Sequence, residues 1–384
     1  MQKSTKKVKI RKYKIRKKLI DFCELKKYSS LINAVVNRKN VVGILFLSIL
    51  LIFVCMLSLS IGAVSITTKE IVSIFGSKLN ISSLGEYSKQ QEAVIWAIRM
   101  PRVILGILIG GGLAVSGAAM QGLFRNPLAD PGLIGISSGA ALAAVAVIVL
   151  GSHLQFFSKK EFASVILSLA AFGGGVGATF LVYQLSIVNG KIAVSTMLLS
   201  GIAVNSVCGA VTGIFTFIAD DVQLRTLTFW SLGSLGGSNW SSLISAAPLI
   251  LISTFFLIRF ARPLNALVLG EDEAGHLGYH TDRLKQVIVL LVALSVGASV
   301  AVAGIIGFVG LVVPHLLRLT LGPDHRILLP ASALLGSSLL LAADLIARTI
   351  VVPAELPIGI VTAMVGGPFF MYLLKRGRSR IAYG

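Results

Sequence analysis

Charge is scarce in this chain of 384 residues. Asp, Glu, Lys and Arg make up 13% of it, against 55% hydrophobic residues. Acid is the scarcer sign, with 16 Asp and Glu facing 35 Lys and Arg, for a formal net charge of +19. A soluble domain needs a polar cover that so few charged side chains cannot supply, and the mean hydropathy of +0.87 excludes that class. Cysteine is nearly absent. Cys23, Cys55 and Cys208 are scattered, with no CxxC pair and no disulfide framework. The phosphate-binding pattern G-x-x-x-x-G-K-[ST] is missing, because Gly190-Lys191 runs into Ile192. There is no H-E-x-x-H, and no nucleophile elbow is read among the Ser, His and Asp residues. These gaps exclude an ATPase of the P-loop kind and leave no enzyme active site to argue from. Inside the apolar stretches Asp344 and Arg348 are the main charges. Their i, i+4 spacing reads as an intrahelical ion pair rather than an ion relay.

What the chain does have is long apolar runs. A helix crosses the hydrocarbon core in about 20 residues, and ten candidates fit: 41–64, 94–121, 131–151, 162–186, 192–218, 241–261, 286–304, 307–321, 327–351 and 356–374. The first is too long for a signal-peptide core and has no A-x-A site after it, so it is read as a retained span. The seventh and eighth come from one apolar stretch, 286–317, which a single helix would carry to about 48 Å, well beyond the core. Gly304, Gly307 and Gly310 offer the turn. Ten spans put both termini on one side. Of the 35 basic residues, 14 lie in residues 1–40, and the chain closes on "KRGRSR", so both termini are assigned to the cytoplasm. The basic tail reads as a topology signal and anionic-lipid contact, not a nucleic-acid site. Trp96, Trp230 and Trp240 then fall at the outer interface. Gly106/Gly110, Gly112/Ser116, Gly173/Gly177 and Gly209/Gly213 are small residues at four-residue spacing, which lets helices approach closely.

Seven strings stand in order: "RMPR", "SGAAMQGLFRNPLADPGLIGISSGA", "FWSLGSL", "LGEDEAGHLG", "GFVGLVVPHLLR", "DHRILLP" and "ELPIG". Over about residues 41–376 they resemble the FecCD-type permeases of ATP-binding-cassette importers, which carry iron–siderophore complexes, haem or vitamin B12. The departure is a basic extension, residues 1–40, longer than such permeases usually carry; residues 377–384 form a basic C-terminal end. The resemblance implies an all-α polytopic membrane protein of about ten transmembrane helices with the type II importer permease fold. It implies a bacterial cell-membrane location and a second permease subunit, identical or paralogous. It further implies two cytoplasmic ATPase subunits that bind ATP and Mg, and an extracytoplasmic substrate-binding protein. No cofactor or metal is expected in this chain, and no nucleic acid as partner.

The resemblance also assigns residues. Arg99, Arg102 and Arg348 would sit at a wet outer rim and dock the binding protein, where cations steer an acidic partner; snorkelling to lipid phosphate is the alternative. Asn126 and Leu128, with Val194 and Ser195 opposite, would form the cytoplasmic gate, and Pro127 and Pro131 stop a helix from running through that turn. The inner loop 262–283 reads as two short helices joined at Gly270, with Glu271, Asp272, Ala274, Leu277 and Gly278 against the ATPase. His276 and His280, four apart, could in principle hold zinc on one helical face, though a docking surface explains the same polar cluster. An ion-coupled secondary transporter and a non-transporting scaffold are the rival classes, and the dearth of intramembrane acids counts against the first. Ferric siderophore, of hydroxamate type within that class, is the expected cargo; haem and cobalamin are the alternatives.

Overall fold

The computed structural model describes residues 38–78, 85–151, 160–351 and 354–381. Most of the basic extension 1–40 and the last three residues lie outside the described residues. Two units separate, Met1–Phe46 and Leu47–Gly384. Of the first, only the opening turns of helix α1 (Arg38–Ser60) are described.

In the second unit α1 ends and a short amphipathic helix follows, α2 (Thr68–Lys78). Its start is fixed by reciprocal hydrogen bonds. The Thr67 amide donates to the Glu70 carboxylate at 2.6 Å, and the Glu70 amide donates to Thr67 Oγ1 at 3.4 Å. Ile71 and Ile74 face a cluster with Ile66, Ile95, Val103 and Leu341. Helix α3 (Lys89–Val94) opens on a Ser88–Gln91 capping box. It passes through a π turn, Ile95–Arg99, into α4 (Met100–Leu123). The wide turn comes immediately before Pro101, which has no N–H to give the carbonyl four residues back.

The remaining apolar helices are α5 (Ile136–Gly151), α6 (Lys160–Leu185), α7 (Val194–Ile218), α9 (Trp240–Arg259), α12 (Thr281–Ala303), α13 (Val309–Thr320), α14 (His325–Thr349) and α15 (Ile358–Ile381). Among the described residues seven helices are long and apolar enough to cross a membrane, and three shorter apolar ones, in α5, α13 and α15, lie at the other three expected stretches. The long apolar stretch divides where the glycines indicated: α12 stops at Ala303, Gly304 turns at φ 69°, and α13 starts after Phe308 at φ 68°. Three further helices do not span: α8 (Asp221–Ser231), α10 (Ala261–Leu269) and α11 (Glu271–His276). The sequence reading had no strands. A hairpin of β1 (Ile187–Val188) and β2 (Lys191–Ile192) joins α6 to α7 through Asn189-Gly190, both at positive φ, the pairing a two-residue hairpin turn prefers.

α4 is the most enclosed element and packs against α14, α12, α13 and α9. Glycine makes this approach possible. A Cβ at Gly117 would land on the carbonyl oxygen of Gly310, and one at Gly110 on that of Gly336. The matching pairs on the outer faces differ: a Cβ at Gly173, Gly177, Gly209 or Gly213 would meet nothing within 4 Å among the described residues. Among the described residues those two pairs make no close helix contact. Gly117→Ala should lower stability by about 1–3 kcal/mol through overpacking against backbone. Gly177→Ala should be neutral or raise it by up to about 1 kcal/mol. Thermal unfolding of the detergent-purified protein measures both, and equal effects would discredit the packing role.

Candidate gate and coupling surface

The end of the bundle where α1 stops and α4 begins holds the three arginines, and they are not at a wet rim. Arg99 is 4% exposed and Arg102 7%. The Arg99 guanidinium donates to the carbonyls of Leu59, Ser60 and Val64, and so closes the turn that follows α1. Arg102 Nε and Nη2 hold the Asp344 carboxylate at 2.8–3.1 Å, and Nη1 and Nη2 hold Glu355 at 2.9 Å. Arg348 Nη2 donates to the Ser58 carbonyl at 2.6 Å and to Ser58 Oγ at 2.9 Å. The expected Asp344–Arg348 pair exists only at 3.9 Å, and Asp344, with 0% exposure, has Arg102 on another helix as its close partner. The reason is desolvation: a carboxylate this deep needs bidentate compensation, which a guanidinium on α4 supplies better than one on its own helix. Arg102 in turn holds the Glu355 carboxyl below the ordinary carboxylate range, chiefly through that hydrogen bond. Trp240 Nε1 donates to the Trp96 carbonyl at 2.8 Å at the same end.

At the opposite end α4 terminates in a capped turn. The Arg125 amide donates to the Gly122 carbonyl and the Asn126 amide to that of Gln121, the double bond that usually places glycine at the residue carrying positive φ. Here that residue is Arg125, at φ 49°, a conformation that costs a non-glycine residue on the order of 1 kcal/mol. Asn126 Oδ1 then accepts from the Leu128 amide at 2.9 Å, and both of these candidate gate residues are exposed. Asp130 caps the short turn Pro131–Ile134 through the Gly132 amide. Burial pushes the Asp130 carboxyl up against the opposing pull of that bond. This turn packs on α7: Asn205 Nδ2 donates to the Gly132 carbonyl at 3.2 Å, and Gly201 lies against the Leu133 carbonyl. Val194 and Ser195 form the first turn of the same helix, with Ser195 exposed. The two segments expected to form the gate are thus joined through α7.

The loop 262–283, expected to couple to the ATPase, folds as two short helices around Gly270, which adopts φ 144°. Asp272, Leu277 and Gly278 are exposed and Glu271 partly so. Ala274 has 0% exposure, so its side chain is not a contact point as expected; it faces inward from α11. His276 lies in α11, whereas His280 precedes α12 across a turn at Gly278, so the zinc geometry of one helical face is lost. The string Gly135-Ile136-Ser137-Ser138-Gly139 does spell G-x-S-x-G, which the sequence reading passed over. It opens a helix after a 3₁₀ turn rather than after a strand, so its Ser137 does not stand on the strand-to-helix turn that a nucleophile elbow requires.

Residues the sequence reading missed lie beside this loop. Lys285 is 2% exposed, donates to the Ile192 carbonyl at 2.7 Å and pairs with Glu271 at 2.6 Å, with Asp282 at 3.5 Å. Glu271 also stands 4.0 Å from Arg125. On α10, Asn265 donates to Asp324 at 2.7 Å and accepts from the His325 amide at 2.9 Å. Asp324 stays below the usual carboxylate range: burial pushes it up, but its hydrogen bonds and nearby positive charge outweigh that. A cleft of about 630 Å³ opens here, lined by Gln121, Arg125, Asn265, Arg318 and His325 among others.

The profile of the FecCD transport family matches residues 50–376, most of the chain. The chain belongs to the FecCD transport family. It is similar to the hemin transport system permease protein HmuU of Yersinia pestis, with 45% identity over 87% of this chain and 96% of that one. The cobalamin import system permease protein BtuC of Halobacterium salinarum is 43% identical over 74% of each chain. The vitamin B12 import system permease protein BtuC of Shigella boydii is 38% identical over 89% of this chain and 97% of that one. A solved structure, described as an inward-facing conformation of a metal-chelate type ABC transporter, superposes with a TM-score of 0.75 at 31% identity. It covers 87% of this chain and 98% of that one. As a FecCD member the chain is the permease subunit of an ABC importer, a polytopic helical protein.

Proposed function

We propose that this permease, paired with a second permease subunit, forms the pathway by which a bulky metal chelate enters a bacterial cell. Two ATPase subunits drive it and an extracytoplasmic binding protein delivers the cargo. The observation that carries the cargo class is the pair of relatives named for hemin and cobalamin, each above 40% identity. Both cargoes are metal tetrapyrroles, and they come first. An iron–siderophore complex, of hydroxamate type, is the second reading, supported by the ordered motifs of the family. With both termini cytoplasmic, α10 and α11 face the ATPase and the arginine end faces the binding protein. In this reading the buried arginines shape the docking surface by fixing the α1–α2 turn and the loop before α15, instead of touching the partner themselves. Asn126, Leu128, Val194 and Ser195 close the inner end of the pathway. Uptake of labelled hemin, cyanocobalamin and a ferric hydroxamate in cells with and without this gene product tests the cargo. Loss of hemin or cyanocobalamin uptake in the deletion supports the first reading, and loss confined to the ferric hydroxamate supports the second. Failure of the tagged permease to co-purify an ATPase subunit would sink the importer assignment.

A further inference from the structure

Glu271 stands between two cations that belong to different parts of the gate. On one side is Arg125, the residue before Asn126, at 4.0 Å. On the other is Lys285, at 2.6 Å, which also donates to the carbonyl of Ile192, two residues before Val194. One carboxylate on α11 therefore reaches both gate segments. We propose that Arg125, Glu271 and Lys285 form a charged linkage that passes movement of α11 to the two gate segments separately, one arm to the turn at Asn126–Leu128 and one to the start of α7. The inference rests on the importer reading above and adds the residues that carry force between its coupling surface and its gate.

Three independent observations support it. The first is the conformation of Arg125. Its position closes α4 with the bond pattern that favours glycine, yet an arginine occupies it at φ 49°. Helix termination alone is better served without that side chain, so what the side chain touches is the reason to look for, and its ionic contact is Glu271. The second is Lys285, whose ammonium is almost fully buried. A buried cation holds its place through its partners, and these are one carboxylate of α11, one backbone carbonyl of the β2 strand and Asp282. The third is the contrast between the two coupling helices. α10 is tied to the start of α14 through Asn265, by hydrogen bonds to Asp324 and His325. α11 lies beyond Gly270 and has its ionic attachments on the gate side instead. A push on α11 bends the chain at Gly270 while α10 stays with α14.

The test uses the whole transporter, with its ATPase subunits, in nanodiscs. Cys23, Cys55 and Cys208 are replaced, and spin labels are attached at Leu128→Cys or Ser195→Cys, both exposed positions. The label-to-label distance between the two permease copies or, for a heterologous pair, to a fixed label on the second permease is read with and without Mg-ATP and vanadate. Arg125→Gly should abolish the nucleotide-dependent shift at 128 and keep it at 195. Lys285→Met should do the reverse. Arg125→Gly suits its backbone better than the native residue, so the melting temperature should hold or rise while uptake per ATP hydrolysed falls about fivefold or more; a purely structural Arg125 would not give that split. Should Lys285→Met fail to assemble, Glu271→Gln retains an oxygen for Lys285 and should blunt both shifts. Unchanged shifts at both labels in Arg125→Gly and Glu271→Gln would overturn the linkage while leaving the importer reading intact. Labels that do not respond to nucleotide in the native sequence would overturn both.

Discussion

Arg102→Met should cost about 3–5 kcal/mol of stability, because it leaves the fully buried Asp344 carboxylate without its bidentate partner. The readout is the melting temperature of detergent-purified protein together with the amount assembled in the membrane. Adding Asp344→Leu should recover part of the loss, since the stranded charge goes with its partner. Glu355→Gln should be mild: its side chain is partly open to water, which takes over the lost contact. Arg102 holds the folded-state pKa of Glu355 below its ordinary value. The stabilisation from that carboxylate is complete above the ordinary carboxylate pKa and is lost as pH falls through the lowered one. An Arg102→Met protein as stable as the native one, or one not improved by removing Asp344, would refute the account.

Leu277→Asp should reduce uptake to background while the binding protein still associates. Leu277 is 62% exposed at the end of α11, with Leu269 and Val268 also exposed on α10. Apolar side chains gathered on this loop are what a partner would cover, and a charge inside such a contact costs about 2 kcal/mol or more, roughly a 30-fold loss of affinity. The measurement is the ratio of ATPase subunit to permease after purification, beside uptake of labelled hemin. A native ratio with native uptake would take Leu277 out of the contact.

Much of the architecture was legible because it follows from local sequence. Ten apolar stretches gave ten helices, the glycines after Ala303 divided the longest, and Gly270 separated two short amphipathic helices. Asn189-Gly190 was an equally local signal for the hairpin, but it sat within what reads as a loop between two long helices. Partnership was not legible. Small residues four apart look alike on α4 and α6, yet Gly110 meets Gly336 and Gly177 meets nothing among the described residues. Spacing reports that a helix has a smooth stripe but not which way the stripe faces. The arginines were placed correctly at a helix end and wrongly in water, because their acceptors are backbone carbonyls and acids that no short motif reveals. Lys285 carried no signal at all: a lysine one turn into a helix usually belongs to the solvent.

The link from Arg102 to Asp344 spans 242 residues of chain, and this distance becomes a waiting time during synthesis. At roughly 5–20 residues per second a ribosome needs about 12–50 s to deliver the second partner after the first. For that interval α4 holds at its end a guanidinium without the acid that answers it in the folded chain. Its final depth is set only when α14 arrives. The subunit is therefore finished from its late helices backward, and a chain stopped before Asp344 carries a mark, an unpaired arginine, by which a cell's quality control could tell it from a completed one.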